Sequence, residues 1–260
     1  MRRILLLAIV LIATSIPWSA LAQPEIRSEI APTGKLRVAM NAETVVLLTR
    51  TPDGKITGGV GLEVAKFIAK KLGTVLELAP YPNSNSYTQS FGRGEWDIGL
   101  GTRSPLVAEK ADFIVDILLN DYFFVAAPGR QFADAAQVDR PGVKIGVGLN
   151  TSSDQFLSKA LKSAELVRLT GGRSIEALRS GQVDVWAASA GNVEQVADRL
   201  PGARLVPGAF MSERTMVTLP KGRSAAAQSK IVEIVKEAKR TGLVQKAIDQ
   251  TGIKGVRAAP

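Results

Sequence analysis

Thr102, Arg103 and Ser104 stand together in the run GTRSPLVAEKADF, residues 101–113, and set two hydroxyls around one guanidinium. Hydroxyls bind neutral polar groups, and the planar guanidinium donates two parallel hydrogen bonds to a single carboxylate. Alternation along a strand, however, turns Arg103 away from Thr102 and Ser104. Arg103 therefore has two readings, a ligand contact or a structural partner of Asp112 or Glu109. A second polar stretch, Asn150-Thr151-Ser152-Ser153, follows an expected strand and opens an expected helix. Backbone N–H groups and hydroxyls converge there at the positive helix end, which suits a carboxylate or another anion. The plainer reading is an ordinary N-cap by Thr151 or Ser152. The chain has no His and no Cys, so Ser-His triads, thiol nucleophiles and His-type metal sites are excluded. Neither a metal nor a cofactor is expected.

The compartment follows from the first residues. Arg2 and Arg3, the apolar run 4–13 and Ala20-Leu21-Ala22 form the three parts of a secretory signal peptide, with the mature chain expected to begin at Gln23. The apolar run is shorter than the roughly 20 residues that span a bilayer. Without Cys there is no thiol for lipid attachment and no disulfide, which favours a free periplasmic protein held together by its core. Removing 22 of 260 residues leaves 238, enough for two lobes that each bury a core. The formal charge of +9 falls to +7 once Arg2 and Arg3 are gone. Lys and Arg are dispersed and aromatics make up only 5%, so the basic excess reads as a solvated surface and no nucleic-acid partner is expected.

Two series of short β-rich runs and helical periods must position these groups. Strands are expected at residues 35–40, 75–78 and 97–100, with helices at 63–72 and 87–93. The unit recurs as strands at 143–147, 166–169 and 183–187 with helices at 152–162 and 174–180. A helix near 192–200, a strand at 215–219 and helices at 225–240 and 244–250 complete the chain. The order predicts an α/β fold of two halves parted near Pro128-Gly129, with a ligand at the carboxyl ends of the strands. Trp96 and Trp186, each beside an acid that begins a strand, are expected in the core.

The blocks GGVGLEVAKFIAKKLG, GRGEWDIGLGTRSPLVAEKADF, IGVGLNTSSDQFL and ALRSGQVDVWAAS together resemble the extracellular solute-binding protein family 3, the periplasmic receptors of polar amino-acid ABC importers. The resemblance runs over nearly the whole mature chain. It implies a two-lobed type II periplasmic-binding-protein fold, each lobe a mixed sheet flanked by helices, joined by crossover hinge strands near 122–126 and 215–219. The implied division is a signal peptide at 1–22, a first lobe from 23–125 and 215–260, and an inserted second lobe at 126–214. It also implies a small polar ligand, a transient inner-membrane ABC permease as partner, and a monomer. Carried onto this chain, the family's pocket positions fall on Asn41, Glu43, Ser104, Thr151 and Ser189, and on the segment 83–87, where Asn85 offers an amide in place of an aromatic platform.

Two departures bear on specificity. The family's carboxylate-binding Arg is replaced by Val107, and its ammonium-binding Asp by Ser189, with no other acid between Val185 and Val193. Asp184 matches an earlier acid of that block, a strand-start residue. What remains is a cleft of hydroxyls and amides from Asn85, Thr102, Ser104, Asn150, Thr151, Ser152 and Ser189, with Arg103 as its candidate cation. This composition favours a neutral polar solute or a small carboxylate without an amine. The expected function is a non-enzymatic receptor. Two alternatives stay open: an accessory protein of the same fold, as among dehydrogenase-associated relatives, and a cyclohexadienyl-dehydratase-like enzyme with Glu43 as its acid. Intact-mass measurement of the exported protein is expected to show Gln23 as the first residue; a retained amino terminus in the membrane fraction contradicts the signal reading.

Overall fold

In the computed structural model, which describes residues 18–51, 53–170 and 172–260, helix α1 (Trp18–Ile30) leads into strand β1 (Lys35–Asn41). The apolar run 4–13 of the expected signal lies outside the described residues. A hairpin of β2 (Thr49–Arg50) and β3 (Ile56–Gly58) precedes α2 (Val60–Leu72). Val60, Val64, Ile68 and Leu72 are buried on one face of α2, one turn apart, and Gly73 ends the helix at φ 64°, a left-handed position that favours glycine. There follow β4 (Val75–Tyr81), α3 (Ser84–Ser90), β5 (Ile98–Thr102), the single turn α4 (Pro105–Ala108) and the sixteen-residue β6 (Ala111–Ala126).

The second series is β7 (Lys144–Gly148), α5 (Ser152–Ala160), β8 (Glu165–Leu169), α6 (Ser174–Arg179), β9 (Val185–Ser189) and α7 (Ala190–Arg199). The chain returns through β10 (Arg204–Leu205) and β11 (Met211–Pro220), then closes with α8 (Ala225–Arg240), α9 (Leu243–Thr251) and β12 (Val256–Ala258). The strands join one mixed sheet in the order β4-β1-β5-β11-β6-β9-β7-β8, with β10 and β12 also paired to β6. Its outer groups, β4-β1-β5 and β9-β7-β8, are parallel, and the antiparallel pair β11-β6 links them.

Each group has its own core. Leu36, Ile68, Leu100, Ile117 and Ile231 belong to a large cluster that gathers α2, α8 and α9 around the first group. Around the second, Phe124, Ile145 and Leu157 fill one face while Val125, Leu178 and Val193 fill the other. The expected strands and helices are present with ends moved by a few residues. The main differences are β6, which begins at Ala111 rather than near residue 122, and α3, which begins at Ser84 rather than Tyr87. Asn83 starts α3 early because its side-chain oxygen accepts from Ser86 N at 2.9 Å while Ser86 Oγ accepts from Asn83 N at 3.3 Å. That reciprocal pair is a capping box, so the segment 83–87 is a helix start and not a free turn.

The two halves repeat one device. Asp97 is fully buried ahead of β5; it accepts from the backbone N of Arg37 on β1 at 2.9 Å and from Arg37 Nη2 at 2.7 Å. Asp184, ahead of β9, accepts from the backbone N of Lys144 on β7 at 2.8 Å and pairs with Arg130. Each acid thus pins the start of one parallel strand to its neighbour. Asp97→Ala leaves Arg37 unpaired beside a vacated buried site and is expected to cost about 3 kcal/mol, on the scale of breaking a buried pair. Asp184→Ala is expected to cost less because the Arg130 side chain is 58% exposed. Thermal unfolding of both variants checks the order.

Candidate ligand-binding cleft

A cavity of about 750 Å³ opens between the halves, at the carboxyl ends of β1, β5, β7 and β9. Strand ends and helix starts meet there because both parallel groups point their carboxyl ends toward it, the place where open α/β sheets take ligands. Its floor is a row across the sheet: Thr102 on β5 pairs with Thr215 on β11, and Tyr122 on β6 pairs with Ser189 on β9.

Nine of the ten sequence-expected site residues line this cavity, but several of their polar groups already have protein partners. Asn41 donates to Ser84 Oγ at 2.9 Å. The Ser104 hydroxyl caps α4, accepting from Val107 N at 3.2 Å. Thr151 caps α5, accepting from Asp154 N at 3.3 Å and donating to Gly148 O at 2.7 Å. Ser189 donates to Asn192 Oδ1 at 2.9 Å. Asn150, at φ 62°, donates across the cleft to Asn85 Oδ1 at 3.1 Å. The Thr102 and Ser152 hydroxyls meet across the cleft at 3.2 Å, and Asn192 Nδ2 donates to the Glu43 carbonyl at 2.9 Å. Hydrogen bonds therefore already bridge the two sides. Burial pushes the Glu43 carboxyl above its ordinary pKa.

Arg103 is the correction. It does not line the cavity; its guanidinium lies over the Phe113 ring, 4.7 Å from the centroid. Strand alternation is the cause, since Thr102 faces the cavity and its neighbour must face away. Arg103 does not pair with Asp112 either, which is engaged by Lys221. Trp186 also departs from expectation: it is half-buried, packs on the second-half core and lines the cavity, whereas Trp96 is buried at 3% exposure. Val107 is 4% exposed in a cluster with Tyr87, Phe91 and Trp96, whose rings meet edge to face at 5.0 and 4.7 Å. Tyr87 lies flat on β5, and a Cβ on Gly101 would fall 2.8 Å from its ring, so glycine is required there.

Sequence reasoning found the ends of the floor, Thr102 and Ser189, and missed its middle. Asn120 and Tyr122 on β6 and Thr215 on β11 line the cavity, and Glu213 stands two residues before Thr215 on the same strand face. Tyr122 Oη donates to Glu213 Oε2 at 3.0 Å. Burial pushes the Glu213 carboxyl up, opposed by the nearby hydroxyls of Ser152, Tyr122 and Thr102. Among the described residues, three buried polar atoms on residues lining the cavity lack a protein partner: Tyr87 Oη, Asn120 Oδ1 and Ser153 Oγ. The signal that could have found Glu213 was period-two alternation from Thr215, the expected strand residue.

Folding raises the Glu213 pKa, so the folded state holds that proton more tightly than the unfolded chain does. The resulting stabilisation is complete below the ordinary carboxylate value and is lost as pH rises through the raised folded value. Glu213→Gln removes this dependence, so its melting temperature relative to the parent is expected to increase with pH across that window. A constant difference between the two proteins contradicts the assignment.

No protein-family model matches the sequence, and no curated protein matches it. Solved structures do. An arginine-binding protein from T. maritima, as a P235GK mutant, shares 19% identity and a TM-score of 0.73, covering 86% of this chain and 98% of its own. A solute receptor for L-cysteine of Neisseria gonorrhoeae shares 21% and 0.73, covering 86% and 92%. An ancestral amino-acid-binding protein, a precursor of cyclohexadienyl dehydratase, shares 21% and 0.72, covering 86% and 98%. The chain has the two-lobed type II binding-protein fold of these structures, the fold implied by its four sequence blocks.

Proposed function

We propose that the protein is a receptor, the substrate-binding component of an ABC importer, which captures a small polar solute or organic acid by closing its lobes and is not specific for a standard α-amino acid. In this reading, the exported chain works in the periplasm as a monomer and delivers its ligand to an inner-membrane permease. One lobe comprises residues 23–125 and 215–260, and the other 126–214. The single observation that carries the reading is Ser153. Its hydroxyl is buried, without a protein partner, at the start of the nine-residue helix α5 and against the cavity. A carboxylate there receives that hydroxyl together with unpaired helix N–H groups. The amino-acid preference is argued against by two substitutions: Val107 offers no donor, and the neutral Ser189 hydroxyl already donates to Asn192. The similar structures named for arginine and cysteine binding support a small-molecule receptor of this shape.

A second reading, a dehydratase-like enzyme, draws on the raised Glu43 carboxyl at the cavity and on the likeness to the dehydratase precursor. Turnover of a cyclohexadienyl acid that is lost in Glu43→Gln would establish it.

Calorimetry with the standard amino acids and a set of organic acids tests the receptor reading. An organic acid is expected to bind, and Ser153→Ala to weaken it about tenfold, equivalent to about 1.4 kcal/mol. The same variant is expected to keep or raise the melting temperature, because the hydroxyl it removes is buried and unsatisfied. Submicromolar affinity for a standard amino acid overturns the preference, and unchanged acid affinity in Ser153→Ala overturns the site.

A further inference from the structure

The polar cluster at the cleft floor does not consist of independent groups. Tyr122 donates to Glu213 Oε2 at 3.0 Å, and the Thr102 and Ser152 hydroxyls lie 3.2 Å apart. Tyr122, Thr102 and Ser152 line the cavity, whereas Glu213 sits behind them. Each hydroxyl owns one proton and two acceptor lone pairs, and an ionised carboxylate only accepts. Two of the three protons are therefore spent inside the cluster, one from Tyr122 to Glu213 and one between Thr102 and Ser152. Which of Thr102 and Ser152 donates to the other does not alter the count. At Tyr122, lone pairs alone remain for the cavity.

The charges around Glu213 leave this arrangement intact. Its strand neighbour Arg214 pairs with Asp116, and Asp121 on β6 pairs with Arg257. Asn120, directly opposite on β6, is neutral, and among the described residues Glu213 forms no ion pair.

We propose that Glu213 is a specificity-determining residue, which holds Tyr122 as a hydrogen-bond acceptor toward the cavity, so that this part of the floor selects a ligand end bearing O–H or N–H. The proposal rests on the receptor reading and narrows it: with a carboxylate at the start of α5, the fitting class is a hydroxy acid rather than the corresponding plain acid. Glu213 acts through the Tyr122 hydroxyl and need not touch the ligand. Replacing it by Gln introduces a donor to Tyr122 Oη, so that hydroxyl turns its proton toward the cavity and the selection fails.

The test compares butyrate with 3-hydroxybutyrate and 4-hydroxybutyrate by calorimetry on the full mature protein at neutral pH. A hydroxylated acid is expected to bind at least about tenfold more tightly than butyrate, with the gap falling to within about twofold in Glu213→Gln and largely restored in Glu213→Asp. A gap that survives Glu213→Gln overturns the proposal, as does its absence in the parent when butyrate binds. A ligand-free arm separates this from failure of the receptor reading: carbon-13 NMR titration of the Glu213 carboxyl in the parent and in Tyr122→Phe. Loss of a donor to the ionised form is expected to raise the Glu213 pKa further. An unchanged titration sinks the proposal even where no acid binds, whereas a raised pKa without acid binding supports the proton arrangement and removes only the receptor reading.

Discussion

The antiparallel pairing of β6 with β11 is the constraint on which the rest of the structure depends. β6 pairs with β11 from Ala111 to Tyr122 and with β9 from Tyr122 to Ala126, so one strand passes from the first core to the second without a break. Tyr122 is the point of exchange, paired to both Met211 and Ser189. The residues that join the halves are therefore also the residues that floor the cleft. Any change in the angle between the halves would act on Tyr122, Glu213 and Thr215 first.

Around this axis, two buried acids with matching tasks place the strands that reach the cleft. Asp97 ties β5 to β1, and the register it sets carries Thr102 to the cavity and Arg103 away from it. Asp184 ties β9 to β7 and so delivers Ser189 to the floor. Both acids accept a backbone N–H from the adjacent strand, a role that neither a neutral apolar residue nor a mobile surface acid can fill. This explains why Asp184, though close in sequence to Ser189, takes no part in the pocket.

The chemistry of the cleft follows from what its polar groups already hold. Ser104 and Thr151 cap helices, Ser189 is bonded to Asn192, and Thr102 and Ser152 are bonded to each other. Unspent polar capacity is concentrated at Ser153, Asn120 and Tyr87 and at the first N–H groups of α5. A site of this composition selects by the direction of its hydrogen bonds more than by opposite charges.

Local chemistry was legible along the chain. The four-residue apolar spacing determined α2, Ala225–Arg240 was read to the residue as α8, and the position of Asn150 to Ser153 after a strand identified the helix start at the cleft. The absence of charge at Val107 and Ser189 was likewise visible without coordinates, and so was the doubt that alternation cast on Arg103. Only the tertiary structure decided which hydroxyls were free, because a cap, a cross-cleft bond and a bond to a distant acid look identical in sequence. Glu213 and Tyr122 are 91 residues apart and meet only because β11 returns beside β6. Their pairing depends on sheet order, a long-range property that no local period encodes, and burial beneath the lobes then gives that carboxylate its role.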